Sequence, residues 1–286
     1  MKLIERLRQD KPSLSFEVFP PKTSDTYESV LHAVTEIAAL NPDYMSVTYG
    51  AGGGTSAFTT ALAEEVNKRG VTALAHLTCV CAKEGDIHRH LDELRAHGIE
   101  NILALRGDMP VGMEREHLYY HYASELISEI KEYGGFCIGG ACYPECHPES
   151  ENSRADIAHL KEKVECGCEF LTTQMFFDND IYYNFLWRLL KAGVDVPVIP
   201  GIMPVTSAKQ IKRICGISGN ALPQKFLRIV DRYGDNPEAM KQAGIAFATE
   251  QVIDLYANGV NAVHIYSMNH PDVARAIRDN ISAVLA

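Results

Sequence analysis

Eight times along this chain a short apolar run is followed by a stretch of helical periodicity, and few folds accept that pattern. The apolar runs fall within residues 13–23, 44–49, 72–80, 101–105, 136–142, 170–177, 196–203 and 262–269. Helical spacing marks 27–40, 56–69, 87–97, 122–132, 154–165 and 180–191, then 207–214, 237–258 and 271–285. In the first of these Val30, Leu31, Val34 and Ile37 recur three and four residues apart, the signature of one buried helix face. No linker or low-complexity tract interrupts the series, so the expectation is an α/β fold of the (β/α)8 TIM barrel type, one domain over 1–286. The competitor is a doubly wound sheet. That fold ordinarily carries a Gly-x-Gly-x-x-Gly turn after its first strand, whereas Pro20-Pro21-Lys22-Thr23 stands here. Pro197 and Pro200 sit awkwardly inside the seventh run, because proline cannot donate to a sheet ladder.

Charge narrows the partners. With 27 Lys and Arg against 37 Asp and Glu, the formal net charge is -10, a poor match for nucleic acid or an anionic membrane. Residues 1–10 alternate apolar and charged side chains at helical spacing and lack the features of a signal peptide; no segment reaches the length of a membrane span. A cytoplasmic location is expected. The eight cysteines show no paired C-x2-C knuckles, so no metal is expected; Cys142 and Cys146, followed by His147, are the one place where a metal site competes with buried reduced thiols.

The first run, Ser13-Leu14-Ser15-Phe16-Glu17-Val18-Phe19, holds a carboxylate in its middle. Strand alternation puts Glu17 on one face with Ser15 and Phe19, and both faces look buried. An unpaired carboxylate out of water costs several kcal/mol, so Glu17 either pairs with a buried Arg or Lys or holds a proton as a general acid. In a barrel the active site forms where the carboxyl ends of the strands meet. Polar residues gather at those ends: Glu17, Thr48, Tyr49, His76, Arg106-Gly107-Asp108, Tyr143, His147 and Gln174. His76 alone reads as a satisfied core histidine; the convergence of so many positions is harder to explain as core chemistry. Gly52-Gly53-Gly54-Thr55 permits either a flexible turn or close approach of a ligand. Asp156, His159 and Lys163 share one helix face, which suits either a solvated surface or ligands for hydroxyl and phosphate groups.

Six segments, taken together and in order, resemble methylenetetrahydrofolate reductase. They are Phe16-Glu17-Val18-Phe19-Pro20-Pro21-Lys22-Thr23, Ser46-Val47-Thr48-Tyr49-Gly50, His76-Leu77-Thr78-Cys79, Ala104-Leu105-Arg106-Gly107-Asp108, Tyr143-Pro144-Glu145-Cys146-His147-Pro148 and Thr173-Gln174-Met175-Phe176-Phe177-Asp178. The resemblance implies a barrel with non-covalent FAD that takes hydride from NADH or NADPH and passes it, in a ping-pong sequence, to 5,10-methylenetetrahydrofolate. It places Thr48, Tyr49, His76, Arg106, Gly107, Asp108, Ala123, Tyr143, His147, Asp156, His159 and Lys163 at the FAD site. Glu17 and Asp108 take the catalytic roles, Glu17 as general acid; Gln174, Gln210 and His270 take the folate.

Opening the folate's five-membered ring needs a proton on the departing nitrogen, which a protonated Glu17 supplies, and Asp108 stabilises the resulting cation. Two positions depart from the family pattern. Ile214 stands where some bacterial members carry a stacking Phe, and His270 where an Arg meets the glutamate tail. The chain stops at Ala286, so no regulatory domain and no feedback by S-adenosylmethionine is expected. A homo-oligomer is implied. The alternative reading is a partner-dependent flavin and folate subunit, as in reductases of anaerobes that draw electrons from another protein. A flavin dehydrogenase of another substrate on the same barrel predicts a carboxylate-binding Arg pair near the last strand, where His270 stands instead. No Rossmann acidic residue reads the ribose, so NADH and NADPH are not distinguished.

Overall fold

The computed structural model describes residues 1–21, 23–49, 56–109, 112, 117–211 and 221–286. The Gly52-Gly53-Gly54-Thr55 turn, Lys22, Ile214 and Cys215 lie outside the described residues. Its strands are β1 (Ser13–Val18), β2 (Tyr44–Val47), β3 (Thr72–Thr78), β4 (Asn101–Leu105), β5 (Cys137–Cys142), β6 (Phe170–Thr173), β7 (Val198–Ile199), β8 (Gly201–Ile202) and β9 (Ala262–Tyr266). All pair in parallel, in the order β7-β6-β5-β4-β3-β2-β1-β9-β8. Helices alternate with them: α1 (Leu3–Leu7), α2 (Tyr27–Ala38), α3 (Ser56–Lys68), α4 (Asp86–Ala96), α5 (Ala123–Tyr133), α6 (Ser153–Glu165), α7 (Asn179–Lys191), α8 (Gln224–Tyr233), α9 (Pro237–Ala257) and α10 (Pro271–Asn280). The expected (β/α)8 barrel is the observed architecture.

The seventh strand is where expectation and structure part. The run 196–203 is broken at Pro200 into β7 and β8, because a proline has no N–H for the ladder. Its carbonyl still serves, accepting from His264 N at 2.9 Å, while Pro197 O accepts from Leu171 N at 2.8 Å. The barrel therefore closes across one residue. α8 is missing from the helical stretches expected above, although its Phe226, Ile229 and Val230 form an apolar stripe that packs on the cluster around Met203 and Val205. The helix expected at 271–285 ends at Asn280.

Every residue of β1 is buried, as both faces of a parallel strand require. Leu14, Phe16 and Val18 join the layer between sheet and helices, and the alternate residues Ser13, Ser15 and Glu17 face the barrel interior. Register fixes their neighbours: Ser15 pairs with Tyr44 and His264, Glu17 with Ser46 and Tyr266. Below them α1 seals the amino-terminal end, with Leu3, Ile4 and Leu7 packed on Leu74, Leu103, Cys137 and Phe170. Each such burial stabilises by roughly 1.5–3 kcal/mol. Phe170 fits because Gly139 faces it; a Cβ there would lie 2.4 Å from the ring. No helix among the described residues is long and apolar enough to cross a membrane.

Candidate active site

Glu17 is 6% exposed, and its Oε2 lies 3.6 Å from His76 Nε2 and 4.0 Å from His264 Nε2. Among the described residues no Arg or Lys comes within ion-pair distance of it. The buried cation that one reading of the sequence called for is not what holds this carboxylate. Two histidines border it instead, and one of them, His264 on β9, is absent from the positions expected from sequence. The available signal is its place in 262–266: His264 and Tyr266 alternate on one face of an otherwise apolar strand.

His264 is oriented at both nitrogens. Ser15 Oγ donates to Val263 O at 3.2 Å, so the same oxygen accepts from His264 Nδ1 at 2.7 Å. With Nδ1 donating to Ser15, Nε2 meets the Ser46 hydroxyl at 3.1 Å as its acceptor. Tyr44 lies parallel to the imidazole, with ring centroids 5.6 Å apart. The carboxyl end of β1 is clamped as firmly. Ser267 Oγ donates to Glu17 O at 2.5 Å, and the Asn269 amide accepts from Phe19 N at 2.8 Å and donates to Phe19 O at 2.9 Å. Met268 and Asn269 take left-handed φ values of 53° and 55° to make that turn.

His76 is buried, and its Nε2 has no hydrogen-bond partner among the described residues. Burial, opposed by the Glu17 charge, pulls its pKa down from 6.5 to about 4, so the ring is neutral near pH 7. The unfolded chain binds this proton more readily than the folded one. Its stabilising contribution is therefore complete above pH 6.5 and is lost as pH falls toward 4. Urea unfolding between those limits should show the parent losing about 3 kcal/mol more than His76→Asn, the free energy that corresponds to the shift. Parallel stability curves would show that His76 is not the group responsible.

A second set of residues gathers beyond β4 and β5. Arg106 is held by Glu149 through two hydrogen bonds of 2.5 and 2.8 Å, and Asp108, exposed, adds to the negative field on it. His147 N donates to Asp156 Oδ2 at 3.2 Å, and Ser150 Oγ to Asp156 Oδ1 at 3.2 Å. His147 packs edge-on to Tyr143, whose phenol is raised in pKa by burial while the Gln174 amide partly offsets that. Lys163 reaches in from α6 and donates to Ala141 O at 2.9 Å; burial lowers its pKa. Asn152 caps α6 by accepting from Arg154 N and Ala155 N at 3.0 Å, which fixes the helix face that carries Asp156 and Lys163. His159 is exposed and stacks on Tyr122, which precedes Ala123 at the start of α5.

The remaining expected positions are more dispersed. Thr48 continues from β2, its N donating to Val18 O at 3.0 Å, and the Tyr49 hydroxyl lies 3.3 Å from His90 Nε2. Gln210 accepts from Thr206 N at 3.1 Å, and His270 is exposed at the N-cap of α10. Gly107 adopts φ +90°, which lets the chain turn directly after Arg106 against Thr78 and Val80. Burial raises the thiol pKa of Cys142 and of Cys146, so these are protonated thiols. Among the described residues no group of three His, Cys, Asp or Glu side chains is placed to hold a metal ion.

A family model described as methylenetetrahydrofolate reductase matches residues 2–282. The 5,10-methylenetetrahydrofolate reductase of Escherichia coli K12 is 36% identical over 270 residues, covering 94% of this chain and 90% of that protein. Methylenetetrahydrofolate reductase (NADH) 1 of Arabidopsis thaliana is 32% identical over 305 residues, covering 99% of this chain and 51% of the plant protein. Among solved structures, an uncharacterized Clostridium thermocellum protein that binds two copies of 5-methyl-5,6,7,8-tetrahydrofolic acid superposes with TM-score 0.69 at 12% identity. The match covers 98% of this chain and 99% of that one. At that identity the likeness speaks for the fold alone.

Proposed function

The chain belongs to the methylenetetrahydrofolate reductase family, which makes it an oxidoreductase of methylenetetrahydrofolate, and from that premise we propose that it works with FAD and a nicotinamide donor in two alternating half-reactions. The observation that carries the reading is the buried Glu17 between two histidines, beside a cluster of cationic and hydroxyl groups at the carboxyl ends of β2 to β6. That donor set fits a dinucleotide cofactor. Arg106, Lys163 and His159 supply positive or polar contacts for a diphosphate and sugar, and Thr48, Tyr49, Tyr143 and His147 supply hydrogen-bonding groups for a flat heterocycle. When bound, the flavin supplies two-electron transfer between nicotinamide and folate.

The chain's own residues do the rest. Glu17 delivers a proton to the departing nitrogen of the folate's five-membered ring, and His264, held by Ser15 and Ser46, lines the buried space around its carboxyl. Neutral His76 borders the same carboxyl at 3.6 Å without forming an ion pair with it. Asp108 offers a negative charge to the cation that ring opening creates, and Gln174 and Gln210 hydrogen-bond the folate. His270, exposed beyond β9, faces solvent where a ligand tail can reach it.

The purified protein is expected to be yellow. Its flavin spectrum should bleach anaerobically on addition of NADH or NADPH and return when methylenetetrahydrofolate follows. A protein that retains no flavin when supplied with FAD would sink the reading. Flavin that ignores both nicotinamides would mean that electrons come from a partner protein.

A further inference from the structure

Glu149 follows β5 and joins two groups of the candidate site that are far apart in sequence. Its carboxylate takes the Arg106 guanidinium in a two-point grip, Nη1 to Oε2 at 2.5 Å and Nη2 to Oε1 at 2.8 Å. On the other side Arg106 Nε donates to Gly107 O at 3.1 Å, so the guanidinium plane is set from both edges. The Glu149 backbone N–H meanwhile donates to His147 Nδ1 at 3.1 Å.

We propose that Glu149 is a positioning residue of the flavin site: it holds Arg106 flat, balances its charge, and fixes the proton of His147 on Nε2. This rests on the flavin reading given above. The tautomer follows from donor and acceptor bookkeeping. A neutral imidazole whose Nδ1 accepts an N–H carries its hydrogen on Nε2 and presents that nitrogen as a donor. Burial holds His147 below the usual histidine pKa, which keeps it neutral near pH 7.

Charge balance follows from the ion pair. Arg106 is permanently cationic, and an uncompensated cation beside a flavin favours the electron-rich reduced form, making it a weaker hydride donor. A planar, bidentate carboxylate removes most of that field at its source. Asp108, two residues along, adds to the compensation. A purely structural role predicts something different. The Arg106 side chain is 17% exposed and that of Glu149 40%, and an ion pair so open to solvent contributes little to folding.

The test uses the full chain loaded with FAD. Glu149→Gln should favour reduced over oxidised flavin by about tenfold relative to the parent, an upward shift of roughly 30 mV in the two-electron potential. FAD binding, followed by fluorescence quenching across a salt series, should also become more salt-dependent, because the positive charge of Arg106 is no longer balanced by a neighbouring carboxylate. Glu149→Asp keeps the charge and should leave the potential near that of the parent. A Gln variant with the parent's potential and salt dependence overturns the proposal, as do Gln and Asp variants that shift alike. A parent protein that takes up no flavin is a separate failure, that of the flavin reading itself.

Discussion

Replacing Glu17 with Gln should separate the two half-reactions: a nicotinamide still reduces the flavin, and methylenetetrahydrofolate no longer reoxidises it at a useful rate. The substitution keeps the shape of the side chain and its contacts with His76 and His264, and removes only the proton that can be given away. A positioned general acid contributes about 10²–10⁴ in rate, and the folate half-reaction should fall by that factor, equivalent to roughly 3–5 kcal/mol of barrier. Nothing in nicotinamide oxidation asks for a proton from this side chain, so that half-reaction should stay within about threefold of the parent, a difference of well under 1 kcal/mol. Anaerobic stopped-flow at the flavin absorbance measures both. If folate reoxidation survives in the Gln variant, Glu17 is a core carboxylate and the proton comes from elsewhere.

A stability effect of comparable size is expected at Gly244, in the middle of α9. Alanine in a helix interior ordinarily gains about 1 kcal/mol over glycine. Here the added Cβ would lie 1.8 Å from Val205 O and 2.8 Å from Val205 C, a collision with backbone that no rotamer can relieve. The helix has to move away from the segment that follows β8 and leads to Gln210, pulling apart a small cluster in which Met203, Val205 and Ile211 pack with Phe226, Met240 and Phe247. Gly244→Ala should therefore lower stability by about 3 kcal/mol or more, a drop of roughly 5 °C or more in Tm. Gly259, beyond the end of α9, is the control: it has φ +82° and nothing within 4 Å of where a methyl would stand, so alanine there meets only left-handed strain, about 1–2 kcal/mol. Equal losses at the two sites would show that the clash at Val205 relaxes without consequence.

Much of the candidate site is legible in the sequence because a barrel converts position along a strand into position in space. Glu17, Thr48, His76, Arg106 and Gln174 lie within or just beyond strand ends, so recognising the alternation is enough to converge them. Glu149 and His90 are illegible for the opposite reason. They lie in a loop and on a helix, and their partners, Arg106 and Tyr49, sit 43 and 41 residues away with no period connecting them.

The sequence by itself determined the order and type of the strands, the barrel, the family and the inward direction of Glu17. Each of these depends on side-chain alternation or helical spacing over a few neighbouring residues, or on ordered motifs that can be read in line. Only the tertiary structure decided what Glu17 faces. Barrel closure brings β9 beside β1 and sets the register that carries His264 to Ser15, 249 residues apart in the chain. The same closure crosses the break at Pro200, whose carbonyl receives His264 N. Register across a closing seam is set by the sum of all strand pairings and turns, and no local stretch of sequence contains that sum.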